Sequence, residues 1–133
     1  MNMEATARSN YFRVKEGAAF RAWANRRGLY VVPTEQGGQN YFMIQPADGG
    51  SWPSESRDDQ TGALEEFDLV PELARHLAEG DVAVLMEVAT EGSRYVAGVA
   101  LALNAAGETR RVCLDDIYEL AETLGTQVTK AEY

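Results

Sequence analysis

The side chains of this chain with the most chemical potential are its carboxylates. Asp58-Asp59 and Asp115-Asp116 are adjacent acidic pairs of the type that can hold Mg²⁺, but neither sits in a calcium-loop spacing or beside a phosphate-binding glycine loop. Gly37-Gly38 and Gly49-Gly50 lack the spacing and the lysine of a phosphate cradle. His76 is the only histidine and has no second His or Cys at metal-ligand spacing. A nucleophile pair between His76 and Cys113, the only cysteine, would need the two to meet in space, and no flanking catalytic signature supports it. The structural reading therefore comes first: His76 on a partly exposed helix face, Cys113 as a small core residue at a strand end. Glu87 interrupts an apolar run and needs a partner, for which Arg94 across a tight turn is the candidate. No catalytic residue, metal or cofactor is expected.

The charge pattern is more specific than any of these. Through Ala47 the chain has six basic and three acidic residues; beyond it there are six basic and eighteen acidic, giving the net −9. Glu55, Asp58, Asp59, Glu65 and Glu66 crowd one polar stretch that also holds Trp52, an aromatic that can plug the core edge or anchor an interface. Asp115, Glu119 and Glu122 recur at i, i+4, i+7, an acidic ridge along a helix. These nine residues are the candidate partner-binding set. Solvated surface charge is the bland reading of them. Spaced carboxylates that occupy a basic surface on a partner protein, in the way a phosphate track does, are the sharper one.

The elements that must position these groups follow from periodicity. Residues 1–8 read as a flexible polar lead-in to a single α+β domain over 9–133. Asn10–Lys15 alternates like a strand, and Glu16–Arg27 switches to helical spacing through Phe20, Trp23 and Ala24. Leu29–Pro33 and Gln39–Ile44 flank Glu35-Gln36-Gly37-Gly38 as a hairpin, and 46–67 is a long irregular acidic loop. Asp68 can cap a helix whose stripe is Val70, Leu73, Ala74 and Leu77, ending at Gly80. Asp81–Ala89, Tyr95–Asn104 and Thr109–Leu114 form a meander whose apolar first two strands are expected to be covered on both faces or nearly so. Asp115 or Asp116 caps a last helix with Ile117, Leu120, Ala121 and Leu124 on one face, ending at Gly125. The order β-α-β-β-α-β-β-β-α implies a mainly antiparallel sheet of five to six strands packed against three helices on one side.

Net negative charge repels bare nucleic acid and anionic membranes, and no apolar run approaches the ~20 residues of a spanning helix. A lone cysteine and no secretion-signal pattern favour the cytoplasm. Ser9–Lys15 (SNYFRVK), Ala19–Trp23 (AFRAW), Ser51–Ser54 (SWPS), Arg94–Ala100 (RYVAGVA) and Leu114–Ala121 (LDDIYELA) give the chain a resemblance to small accessory proteins carried by phages and plasmids. Some acidic members of that group are anti-CRISPR or anti-restriction inhibitors. The resemblance implies a non-enzymatic protein that binds a host defence or nucleic-acid-processing complex stoichiometrically. It carries no site residues, and the basic N-terminal third departs from a uniform DNA mimic. The alternatives are a small enzyme with a cryptic carboxylate or cysteine site, and a structural domain that forms a homodimer through an edge strand.

Overall fold

A computed structural model describes residues 3–131. Its elements are β1 (Glu4–Ser9), α1 (Gly17–Arg26), β2 (Leu29–Gln36), β3 (Gln39–Pro46), β4 (Glu55–Arg57), β5 (Leu64–Glu66), α2 (Leu69–His76), β6 (Val82–Glu91), β7 (Tyr95–Asn104), β8 (Thr109–Cys113), a 3₁₀ turn (Leu114–Asp116) and α3 (Ile117–Ala121). The class is α+β. One antiparallel sheet runs β1-β6-β7-β8, and β2-β3 and β4-β5 are separate two-stranded ribbons. The main sheet thus has four strands rather than five or six, because the strands expected to extend it pair among themselves.

The first strand lies earlier than its apolar content suggests. Glu4–Ser9 pairs with β6 from Glu4↔Thr90 to Ser9↔Leu85, so most of the expected lead-in is a sheet edge. Its inward side chains are Ala5, Ala7 and Ser9, too small to announce a strand; Ser9 Oγ accepts the Ile44 N–H at 2.8 Å. Asn10–Lys15 is instead an extended connector that bridges Phe12 to Phe42 and Val14 to Leu77. The alternation there is real, since Phe12 is fully buried, but each turn of the chain meets a different neighbour. Arg13 fastens it, with its guanidinium on Asp81 at 2.6 and 3.1 Å.

The core forms where α1, α2 and the β2-β3 ribbon meet one face of the sheet. Phe12, Phe20, Ile44, Leu73, Leu77 and Leu103 are its largest fully buried side chains, each contributing ~1.5–3 kcal/mol. Helix α1 begins at Glu16, whose carboxylate accepts the Ala18 and Ala19 N–H groups at 3.2 and 3.0 Å. The turn between β2 and β3 places Gly37 at φ 58° and Gly38 at φ 77°, the two left-handed residues a type I′ hairpin requires. Asp68 holds the N-cap position of α2 without a side-chain cap bond, and the helix ends at His76, before Gly80.

Along β6 and β7 the two faces differ. Ala83, Leu85 and Leu103 point into the core, whereas Val82, Met86, Val88 and Val96 point the other way and are exposed. The expectation of cover on both faces fails here, because α1 and α2 lie on the same side of the sheet. Helix α3 fails it too. It is one short turn-and-a-half after a 3₁₀ turn, and its stripe is open to solvent, with Ile117 57%, Leu120 65% and Leu124 91% exposed.

Candidate functional site

Arg27 organises the acidic half of the molecule. The sequence suggests a solvated Arg26-Arg27 pair, yet Arg27 follows the last turn of α1 directly and is only 6% exposed. Its Nε and Nη2 donate to the two oxygens of Glu72 at 2.8 and 3.0 Å, a bidentate pair joining α1 to α2. The same Nη2 donates to Glu65 at 3.1 Å, and Nη1 donates to Ser56 Oγ at 2.9 Å. The guanidinium also stacks 4.4 Å from the Phe67 ring centre. Trp23 Nε1 donates to Glu72 Oε1 at 2.8 Å. Burial opposes ionisation of Glu72, but the hydrogen bonds from Arg27 and Trp23 outweigh it and hold the carboxyl below its ordinary value. The Glu72 hydrogen bond, more than any other contact, raises Arg27 above the usual guanidinium range.

What Arg27 positions is a small hairpin inside the stretch expected to be irregular. β4 and β5 are three residues each, with register Glu55↔Glu66, Ser56↔Glu65 and Arg57↔Leu64. Alternation sends Ser56 and Glu65 toward Arg27 and puts Glu55 opposite Glu66 on the other side. Two carboxylates facing each other across a ladder repel. At the tip, Asp58 Oδ1 accepts the N–H groups of Gln60 and Thr61 at 2.8 and 2.9 Å. Those bonds, Thr61's first, pull the Asp58 carboxyl below its usual value, so it stays ionised. Arg57 turns back to donate to the Gly62 carbonyl. Between Glu55 and Asp68 the chain has six carboxylates and one arginine. Glu55, Asp58, Asp59 and Glu66 enter no ion pair among the described residues, and only Glu65 meets a cation. An open cleft of about 560 Å³ separates the hairpin from the end of α1, with Arg26 and Asp48 on its far wall.

The other candidate residues lie elsewhere. Trp52 is half-buried against the core; its N–H donates to Glu87 at 2.9 Å and its indole Nε1 to the Met86 carbonyl at 3.2 Å. Glu87 is therefore tied to the loop, and Arg94 sits in the turn beyond the Glu91–Tyr95 pair. Asp115, Glu119 and Glu122 are exposed on the 3₁₀ turn and α3, and among the described residues no hydrogen bond or ion pair joins them to the hairpin. Asp116 is structural, accepting the Cys113 N–H at 2.8 Å and held below its ordinary pKa chiefly by that bond.

No protein-family model matches the chain, and no curated protein or solved structure does.

His76 and Cys113 do not meet. His76 is half-buried and stacked 5.0 Å from Trp23, where burial pushes its imidazole below the ordinary histidine value. Cys113 is half-buried at the end of β8, beside a shallow cavity of about 290 Å³, and not in the core. Among the described residues no three His, Cys, Asp or Glu side chains converge as metal ligands, and no helix is long and apolar enough to cross a membrane. Sequence reasoning missed Arg27, and one signal was available: an arginine just past an aromatic-rich helix, in a chain whose helix α2 carries Glu72 near its start.

Proposed function

We propose that this protein is a non-enzymatic docking module whose β4-β5 hairpin occupies a basic surface on a partner protein, of the kind that otherwise holds nucleic-acid phosphates. The observation behind the reading is the Glu55–Glu66 pair: two carboxylates fixed opposite each other, beside Asp58 and Asp59, none of the four in an ion pair among the described residues. A fold tolerates such repulsion at a cost, and an external cation removes it. While the clasp on Arg27 is shut it presents the cluster in one geometry, which lowers the ordering cost of binding. The resemblance to small accessory proteins carried by phages and plasmids, some of which are inhibitors, points the same way, to a partner in a host complex that processes nucleic acid.

The test is affinity capture from host lysate with the wild type and with a Glu55→Gln, Asp59→Asn, Glu66→Gln variant, none of whose changed side chains makes a structural hydrogen bond. The wild type should retain a basic partner that elutes with salt and with excess duplex DNA. The variant should retain at least tenfold less. Equal retention by both proteins would overturn the proposal.

A further inference from the structure

Between the first turn of α2, the Trp52-Pro53 segment and the inner face of the sheet lies a cleft of about 380 Å³, within the ~300–1,000 Å³ of small-molecule sites. Val99 and Leu101 form its floor, with Phe67 and Val70 on one side. The walls are almost wholly apolar, and Trp52, Val70, Val99 and Leu101 are left half-buried along them. Trp52 is pinned to β6 through Glu87 and the Met86 carbonyl. Phe67 is held by its N–H on the Ser54 carbonyl at 2.9 Å and by the Arg27 guanidinium on its ring. With the Arg27 clasp shut the cleft is therefore already formed, and filling it costs little ordering.

Two opposite charges line the same cleft. Asp68, at the N-cap of α2, makes no cap bond, and Arg111 stands on β8 opposite Leu101. Both are exposed, and neither side chain enters a hydrogen bond or an ion pair among the described residues. Arg111 acts on Asp116 only through space, and that carboxylate is already engaged by the Cys113 N–H and thiol. A cleft of this volume is roughly 9 Å across, so one small molecule reaches both groups although they do not reach each other.

We propose that this cleft binds a free apolar α-amino acid, with its carboxylate on Arg111, its ammonium on Asp68 and its side chain between Trp52 and Val99. Charge complementarity selects this occupant. A hydrocarbon leaves both charges facing apolar surface, an apolar acid meets Asp68, and an apolar amine meets Arg111. A zwitterion satisfies both, and the planar guanidinium takes a carboxylate through two parallel hydrogen bonds. The apolar walls then accept an aromatic or branched side chain in place of water. The Phe67 ring belongs to the cleft and to the Arg27 clasp at once, which puts the ligand next to the base of the β4-β5 hairpin.

Trp52 fluorescence tests this, since the second tryptophan, Trp23, is buried in the core and away from the cleft. L-Phenylalanine and L-leucine, titrated to about 10 mM, should each give a saturating change. 3-Phenylpropionate, which lacks the ammonium, and 2-phenylethylamine, which lacks the carboxylate, should bind at least tenfold more weakly than phenylalanine. Arg111→Gln and Asp68→Asn, both at exposed positions, should keep the wild-type circular dichroism and each weaken phenylalanine at least tenfold. Arg111→Gln should abolish the preference over 2-phenylethylamine, and Asp68→Asn the preference over 3-phenylpropionate. No saturable change with either amino acid, equal binding of phenylalanine and its one-charge analogues, or undiminished binding by both variants would overturn the proposal. The hairpin variant above should bind phenylalanine with unchanged affinity, so the two proposals fail separately.

Discussion

The two faces of the four-stranded sheet are built by the same apolar strands, and the chain treats them in opposite ways. On the inner face Ala83, Leu85 and Leu103 are sealed beneath α1 and α2, and the nearby charges at Arg27, Glu72 and Glu65 satisfy one another. One residue along β6 the direction reverses, and Met86 and Val88 meet solvent. Hydrophobicity in a strand reports what its faces can bury; which face finds a cover depends on where the helices go. Here both helices of useful length go to one side.

The comparison breaks most sharply at Arg27. Arg27→Ala leaves Glu72 without its buried counter-charge and should cost about 4 kcal/mol in urea denaturation. Adjacent residues then read the two faces directly. Leu85→Ala should cost about 3 kcal/mol by cavity formation, while Met86→Ala should cost under ~0.5 kcal/mol. Equal costs would mean that the outer face is covered in the isolated chain.

Acid separates the covered side further. Burial lowers His76 in the folded state, so the unfolded chain takes up its proton first, and stability falls as pH drops from ~6.5 through the folded value. The hydrogen bond from Arg13 lowers Asp81, so its contribution is present above ~4 and lost below the folded value. His76→Gln should flatten the upper part of the acid limb and Asp81→Asn the lower part, read by thermal melts across pH. The smallest effect belongs to the hairpin. Glu66→Gln relieves the repulsion with Glu55 and should raise Tm by about a degree, in calorimetry at low salt.

Much of the fold was legible because large side chains set clear periods: Phe20, Trp23 and Ala24 for α1, Leu73 and Ala74 for α2, and the runs that became β6 and β7. β1 was not, because Ala5, Ala7 and Ser9 bury almost nothing individually and are held by the ladder to β6. The β4-β5 hairpin escaped for a related reason: three residues per strand carry no period, and what fixes them is an arginine some thirty residues earlier in the chain. Of the candidate site, the crowding of Glu55, Asp58, Asp59, Glu65 and Glu66 could be read directly, but not that Glu65 turns inward while Glu55 and Glu66 face each other. The α3 stripe was legible as apolar, but spacing along a helix does not say which surface it meets, and here it lies open to solvent.

The hairpin's attachment has a dynamic consequence. Side-chain ties from Ser56 and Glu65 converge on a single guanidinium, and the flanking backbone adds the bond from Phe67 N–H to the Ser54 carbonyl. A segment clasped at so few points swings open at a fraction of the free energy needed to unfold the molecule, and does so as a unit. Whatever grips its outer carboxylates therefore also governs how long the clasp stays shut, and a binding event at the rim is felt between α1 and α2.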